Sequence, residues 1–283
     1  MIALLGGLGA AIFFATSTTS SSRSARLIGA PGVVGWMMLV GLLATLPLFP
    51  LTGALDVHLT SLDVLLLVVS GLTNPLGLVL EYAALRVGRV GLVVGLVSSE
   101  GAVAAVINIA GGQSVGLAVA LALAVIAAGV VVIGLASEDV GAPSRDPRVA
   151  TLLALAAAGC FGVNLVTVGR LAADLPLPWA MTAPRVAGVL VFTIPLLALR
   201  RLPRPGRAAP LVIVSGLCEV AGLAAFAVGS RTDLTVASVL TSQFATITAI
   251  VAWVVFRERL TTWQIVGVTA VIGGVAVLAL LNV

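Results

Sequence analysis

Apolar residues run along this chain in long blocks broken by short polar stretches. The pattern has neither the two-residue alternation of a half-buried strand nor the narrow stripe of a surface helix. Ten blocks can be drawn, at 2–20, 32–50, 62–84, 89–109, 114–136, 149–170, 178–199, 209–229, 235–256 and 262–281. Each is close to the roughly 20 residues that a helix needs to cross the bilayer core. The pattern predicts an all-α polytopic membrane protein of ten transmembrane helices joined by short loops, with no room for an extramembrane catalytic domain.

The most polar run, Ser137 to Arg148, lies between the fifth and sixth blocks. It predicts a linker at 138–148 between two five-helix units, 1–137 and 149–283. The two halves repeat. Residues 71–135 lie on 216–280 without a gap at a constant offset of 145, so Gly71-Leu72 meets Gly216-Leu217 and Gly77-Leu78 meets Gly222-Leu223. Arg86 likewise meets Arg231, and Gly129-Val130 meets Gly274-Val275. Identity is modest in so apolar a chain, and the ungapped register across three blocks is the stronger sign. Five spans is an odd number, so the halves must enter the membrane in opposite orientations. Inverted repeats of this kind place a transport site at their interface, near the midplane.

Composition narrows the class. Hydrophobic residues make up 60% of the chain and charged residues 9%, against about 25% charged in soluble domains. All fifteen basic residues are arginine. They sit in short loops beside spans, without the interleaved lysines and aromatics of a nucleic-acid surface. Loops one, three, five and nine carry the pairs Arg23/Arg26, Arg86/Arg89, Arg145/Arg148 and Arg257/Arg259, and loop seven carries Arg200, Arg201, Arg204 and Arg207. The even loops hold only Arg170 and Arg231. Positively charged loops stay inside, which places both termini on the extracytoplasmic side of a bacterial-type cell membrane. Met1–Ala15 lacks the basic start of a secretory signal and leads directly into the first span. Cys160 and Cys218 lie inside apolar blocks without metal-ligand spacing, and His58 is a lone loop histidine.

Polar residues inside the blocks are the candidate chemistry. Glu100 stands in the middle of the fourth block. A carboxylate at membrane depth costs at least about 2.5–3.5 kcal/mol unless it faces a polar interior, and burial disfavours its charged form, as a proton carrier requires. Ala104 and Asn108 follow at four-residue steps on the same face. Glu219 is also mid-span, and its repeat counterpart is Asn74; together they predict facing walls of one cavity. Glu100 and Glu219 are therefore the candidate proton-coupling pair. Asn74, Arg185, Gln243, Asn164, Asn108 and Glu81 are the candidate substrate-binding set. Glu81 lies nearer its span end, where Arg86 and Arg89 offer a local ion pair. Arg185 follows Pro184 inside the seventh span. Its planar fork could clamp a substrate carboxylate, neutralise Glu100 or Glu219, or snorkel to the interface. The ninth span is rich in hydroxyls that can bond back to their own helix, which leaves Gln243, the counterpart of Ser98, as its site candidate.

The closing segment, from Ala252 to Val275, resembles the last helix pair of an EamA-like repeat of the drug/metabolite transporter superfamily. The landmarks are Glu258, Leu260-Thr261, Gln264, Gly267 and Gly273-Gly274, with Arg257 where a glycine is usual. Cys160-Phe161-Gly162-Val163-Asn164 is similar to the opening of the family's repeat, and Arg185 occupies its second-helix arginine position. The first half departs further: Gly112-Gln113-Ser114 replaces the acidic loop motif, and its second span has no arginine. The resemblance implies a ten-span, two-repeat metabolite or drug carrier, often an exporter. Family members are often drawn with both ends cytoplasmic, against the arginine count.

The expected function is secondary transport by alternating access, with proton antiport and no cofactor. No glycine-rich phosphate loop with a lysine is present to use ATP. Two carboxylates and one arginine suit a small zwitterion such as an amino acid; a lipophilic cationic drug is the alternative. A membrane-embedded enzyme is disfavoured, because no histidine or aspartate lies mid-span to act as base or metal ligand. A non-transporting lipid-binding protein would leave the buried polar residues as unexplained costs. Partners are therefore a small solute, protons and lipid; oligomeric state is open.

Overall fold

The computed structural model describes residues 1–88, 90–136, 146–244, 246–247 and 262–281. All regular structure among them is helical. In the first half the helices are α1 (Ile2–Ile28), α2 (Ala30–Thr45), α3 (Leu48–Thr52), α4 (Ser61–Val87), α5 (Val90–Val97), α6 (Glu100–Ala110) and α7 (Leu117–Ala136). The second half holds α8 (Pro147–Asp174), α9 (Leu177–Gly188), a π-helical turn at Val189–Thr193, α10 (Ile194–Ala198), α11 (Ala209–Ser230), α12 (Leu234–Thr241) and α13 (Thr262–Leu280). Seven spans among the described residues are long and apolar enough to cross a membrane, and two further apolar helices are shorter. Linker residues 138–145, Arg89 and the segment 248–261 with Glu258 lie outside the described residues.

Local signals set the helix ends. Thr60 caps α4 by accepting from Asp63 N at 3.2 Å, while Asp63 Oδ2 accepts from Thr60 N at 2.8 Å, a reciprocal capping box. Asp146 and Asp233 cap α8 and α12 in the same way, through Val149 N and Val236 N. Within α4 the polar face turns inward: Ser70, Asn74, Glu81 and Tyr82 are buried, while Leu62, Leu65, Leu72 and Leu76 are exposed. Outward apolar and inward polar is the arrangement of a helix bathed in lipid around a polar interior.

Helix α1 packs along α11, α4 along α8, and α7 along α13; α2 contacts α9 and α11, and α4 contacts α9. Small residues let these pairs approach closely. A Cβ at Gly77 would overlap the Phe161 ring, and one at Gly222 would overlap the Phe14 ring. Gly129 meets the Gly267 carbonyl and Val271, and Gly274 meets the Ala122 carbonyl and Ile126. The arginine-bearing turns gather at one end. Asp146 N donates to Val87 O at 3.4 Å, and Trp36 Nε1 donates to Pro203 O at 2.9 Å.

Two features depart from the sequence pattern. The first helix continues beyond residue 20 to Ile28, so the expected first loop shrinks to a turn at Gly29, where φ is 77°. Ser20, Ser21, Ser22 and Ser24 do not stop it, because Ser21, Ser22 and Ser24 return their hydroxyls to carbonyls three or four residues back. The fourth and ninth spans are also not continuous. The chain turns at Ser98-Ser99 between α5 and α6, and again at Ser242-Gln243 after α12. Ser98 bonds Val94 O and Ser99 bonds Leu96 O. Ser242 and Gln243 Nε2 both bond Val239 O. Each break is thus held by side chains that replace ladder bonds. The two meet where Gly101 abuts the Ser238 carbonyl and Ser242 Oγ.

Candidate functional site

A small cavity of about 40 Å³ lies where α1, α4, α8 and α11 converge with the break between α5 and α6. Its polar lining is Ser17, Thr18, Asn74, Glu81, Glu100, Asn164 and Glu219, and its aromatic lining is Phe14, Tyr82, Phe161 and Phe244. Three glutamates from three helices therefore face one cavity.

The wall at Glu219 is the most connected. Asn74 Nδ2 donates to Glu219 Oε1 and Ser17 Oγ donates to Glu219 Oε2, both at 3.5 Å. Arg185 comes in from behind, only 1% exposed, with Nη2 3.7 Å from Glu219 Oε1. Its Nη1 donates to Asn74 Oδ1 at 3.2 Å and also faces Met38 Sδ. Asn74 thus accepts from the cation and donates to the anion, using both ends of one amide. Space for the guanidinium is made by Gly41, where a Cβ would stand 2.9 Å from Arg185 Cδ. Of the three roles open to Arg185 in the sequence, its burial excludes snorkelling, and it is Glu219, not Glu100, that it neutralises.

The opposite wall has few partners. Glu100 is 5% exposed and makes no hydrogen bond among the described residues. It opens α6 immediately after Ser99, where free N–H groups and the helix dipole favour a negative charge. Glu81 is 4% exposed and its Oε1 has no hydrogen-bond partner among the described residues. Of the two partners that the sequence offered it, Arg86 is not used, because Glu81 turns into the cavity while Arg86 is exposed, and Arg89 lies outside the described residues. Asn164 lines the cavity and accepts from Ser70 Oγ at 2.9 Å.

The remaining candidates lie elsewhere. Asn108 is buried with an unpartnered Nδ2, two turns along α6 from Glu100 and outside the cavity lining. Gln243 is buried and committed to its own helix break: Nε2 donates to Val239 O, and Oε1 accepts from Thr246. Thr18, Tyr82 and the three phenylalanines went unsingled in the sequence. The chain's one tyrosine, next to Glu81 in an apolar block, was the available signal.

A crystal structure of another protein superimposes with a TM-score of 0.78 over 99% of this chain and 96% of that one, at 16% identity. This likeness speaks for the fold alone. No curated protein sequence matches the chain. The pattern of the EamA-like transporter family matches residues 148–280, the half that carries Arg185 and Glu219. Residues 148–280 are thus similar to the EamA-like transporter family, part of the drug/metabolite transporter superfamily, whose members are membrane transporters of small solutes.

Proposed function

We propose that this protein is a proton-coupled secondary transporter that exports a small amine-bearing solute through the glutamate-lined cavity. The observation that carries this reading is charge balance. Among the described residues, three carboxylates, Glu81, Glu100 and Glu219, face one cavity, and the one guanidinium seen beside them is bound to Glu219. Two carboxylates are left to be balanced by protons or by a cationic solute, and exchange of one for the other is antiport. The four aromatic rings add apolar and cation–π surface for an organic cation. Bound solute and bound proton would each favour a different opening of the cavity, which is the differential affinity that alternating access needs.

The scaffold proposed is a pair of inverted five-helix repeats, 1–137 and 149–283, joined by the linker at 138–148. Contacts support it by recurring when the halves are exchanged. Ser70 reaches Asn164 while its counterpart Ser215 reaches the Ser17 carbonyl. Gly77 against Phe161 is echoed by Gly222 against Phe14. Asn74 and Glu219, 145 residues apart, bond to one another. Discontinuous helices meeting near the midplane are a common way to build such a site. Clustering of Arg86, Arg148 and the 200–207 arginines at one end supports placing that end in the cytoplasm of a bacterial-type cell, with both termini outside.

A zwitterionic metabolite such as an amino acid is the second reading. Arg185 Nε and Nη2 have no hydrogen-bond partner among the described residues, so a proton arriving on Glu219 would free a fork for a substrate carboxylate. Proteoliposomes with an internal pH indicator, challenged with lipophilic cations and then amino acids, separate the two. Wild type should show solute-dependent proton flux that is lost in Glu100→Gln at equal protein density. Flux with cations selects the first reading, and flux with amino acids alone selects the second. Flux unchanged in Glu100→Gln would remove Glu100 from the pathway.

A further inference from the structure

The central cavity is not alone on its helix. A second cavity of about 460 Å³ is lined by Ser22, Ala25, Gly29, Tyr82, Leu85 and Arg86, at the end of the molecule where the arginine-bearing turns gather. Tyr82 lines both cavities. It is 3% exposed, and its hydroxyl lies 3.6 Å from Met37 Sδ on α2. One face of α4 therefore runs from Asn74, Leu78 and Glu81 in the inner cavity, past Tyr82, to Leu85 and Arg86 in the outer one. Steps of three and four residues keep these side chains on a single stripe.

The corresponding stripe of α11 is built differently. From Glu219 it continues through Leu223, Phe226 and Ala227, which are 1%, 0% and 0% exposed and belong to a packed apolar core with Leu165, Leu171 and Ala10. Where α4 has one aromatic ring between two cavities, α11 has several layers of close-packed side chains. The two ends of the central cavity are closed by barriers of different thickness.

We propose that Tyr82 is the gate through which the central cavity exchanges its contents with the arginine-rich end of the molecule. This rests on reading the cavity as the transport site. The ring closes the passage by filling it, wedged between α4 and α2 beside Met37. Outward swing of the ring, or separation of α2 from α4, joins the two cavities without disturbing the plug around Phe226.

Access to the inner cavity tests the gate without any assumption about solute or proton. In the full chain with Cys160→Ala and Cys218→Ala, Leu78→Cys reports from the cavity wall, and Arg86→Cys on a separate chain identifies the arginine-rich side. Reconstituted vesicles of known sidedness are treated with a membrane-impermeant thiol reagent. Tyr82→Ala should speed labelling of the cavity cysteine about tenfold from the Arg86 side only, as removal of a closing side chain shifts the population toward open. Tyr82→Phe, which keeps the ring, should stay within about twofold of the parent and shows that the background folds. An unchanged rate in Tyr82→Ala, or equal acceleration from both sides, overturns the gate. Side-specific labelling in a protein that gives no solute-driven proton flux would keep the gate and overturn the coupling.

Discussion

The two walls of the central cavity use the same residue type in opposite ways. On one wall Glu219 is met by Asn74, Ser17 and Arg185 within 3.7 Å. On the other, Glu100 has no hydrogen bond among the described residues, and Glu81 leaves one oxygen unpartnered. A buried charge that is paired and bonded is fixed, since removing either partner strands the other. A carboxylate with no fixed partner must take its balance from something that arrives, and it gives that balance up when the visitor leaves. On the proposed function, Glu219 is the anchor, and Glu100 and Glu81 are the working groups.

The comparison breaks most severely at Arg185. Arg185→Gln leaves Glu219 buried without its cation and should cost about 3–5 kcal/mol, read as a fall in thermal unfolding temperature in detergent. Adding Glu219→Gln to the same chain should recover most of the loss; a double variant as unstable as the single would show that the pair is not the anchor. A smaller effect is expected from Gly41→Ala. Its new methyl group meets Arg185 Cδ and Nε, and overpacking of this kind costs about 1–3 kcal/mol. A silent Gly41→Ala would mean that the guanidinium has room to move. The smallest effect sharpens the other wall. Glu100→Gln should change stability by no more than about 0.5 kcal/mol, as expected where no partner is lost. A drop several times larger would reveal a structural bond and erase the contrast.

Much of this was legible in the residues, because lipid imposes a simple rule on composition. Long apolar blocks gave the helices, and any carboxylate inside one had to face the interior, which is why Glu100, Glu219, Asn74 and Asn164 all reached the cavity lining. The breaks at Ser98-Ser99 and Ser242-Gln243 were not legible. Neither contains the proline or glycine that usually marks an interruption, and their turns are made by side chains bonding carbonyls three or four residues back. For the same reason Gln243, polar and mid-span, was read as facing the solute when it serves its own backbone. The partner of Arg185 was open among three choices, since contact between residues 34 positions apart is decided by packing. Gly41, a glycine in a block otherwise rich in large apolar residues, was the trace that a bulky group had to fit beside it. That Glu81 would not pair with Arg86 was hidden, because distance along the helix says nothing about which side of the helix each occupies.

On the proposed repeat, the bond between Asn74 and Glu219 joins the same position of the two halves. In a dimer of two identical chains, a residue on the symmetry axis can only meet its own copy. Two glutamates there would repel, and two asparagines would leave Arg185 without an anion. An acid facing an amide at that point requires the two halves to carry different residues, which one fused chain can do and a pair of identical chains cannot. On the proposed repeat, the centre of this protein is the place where its halves had to stop being alike.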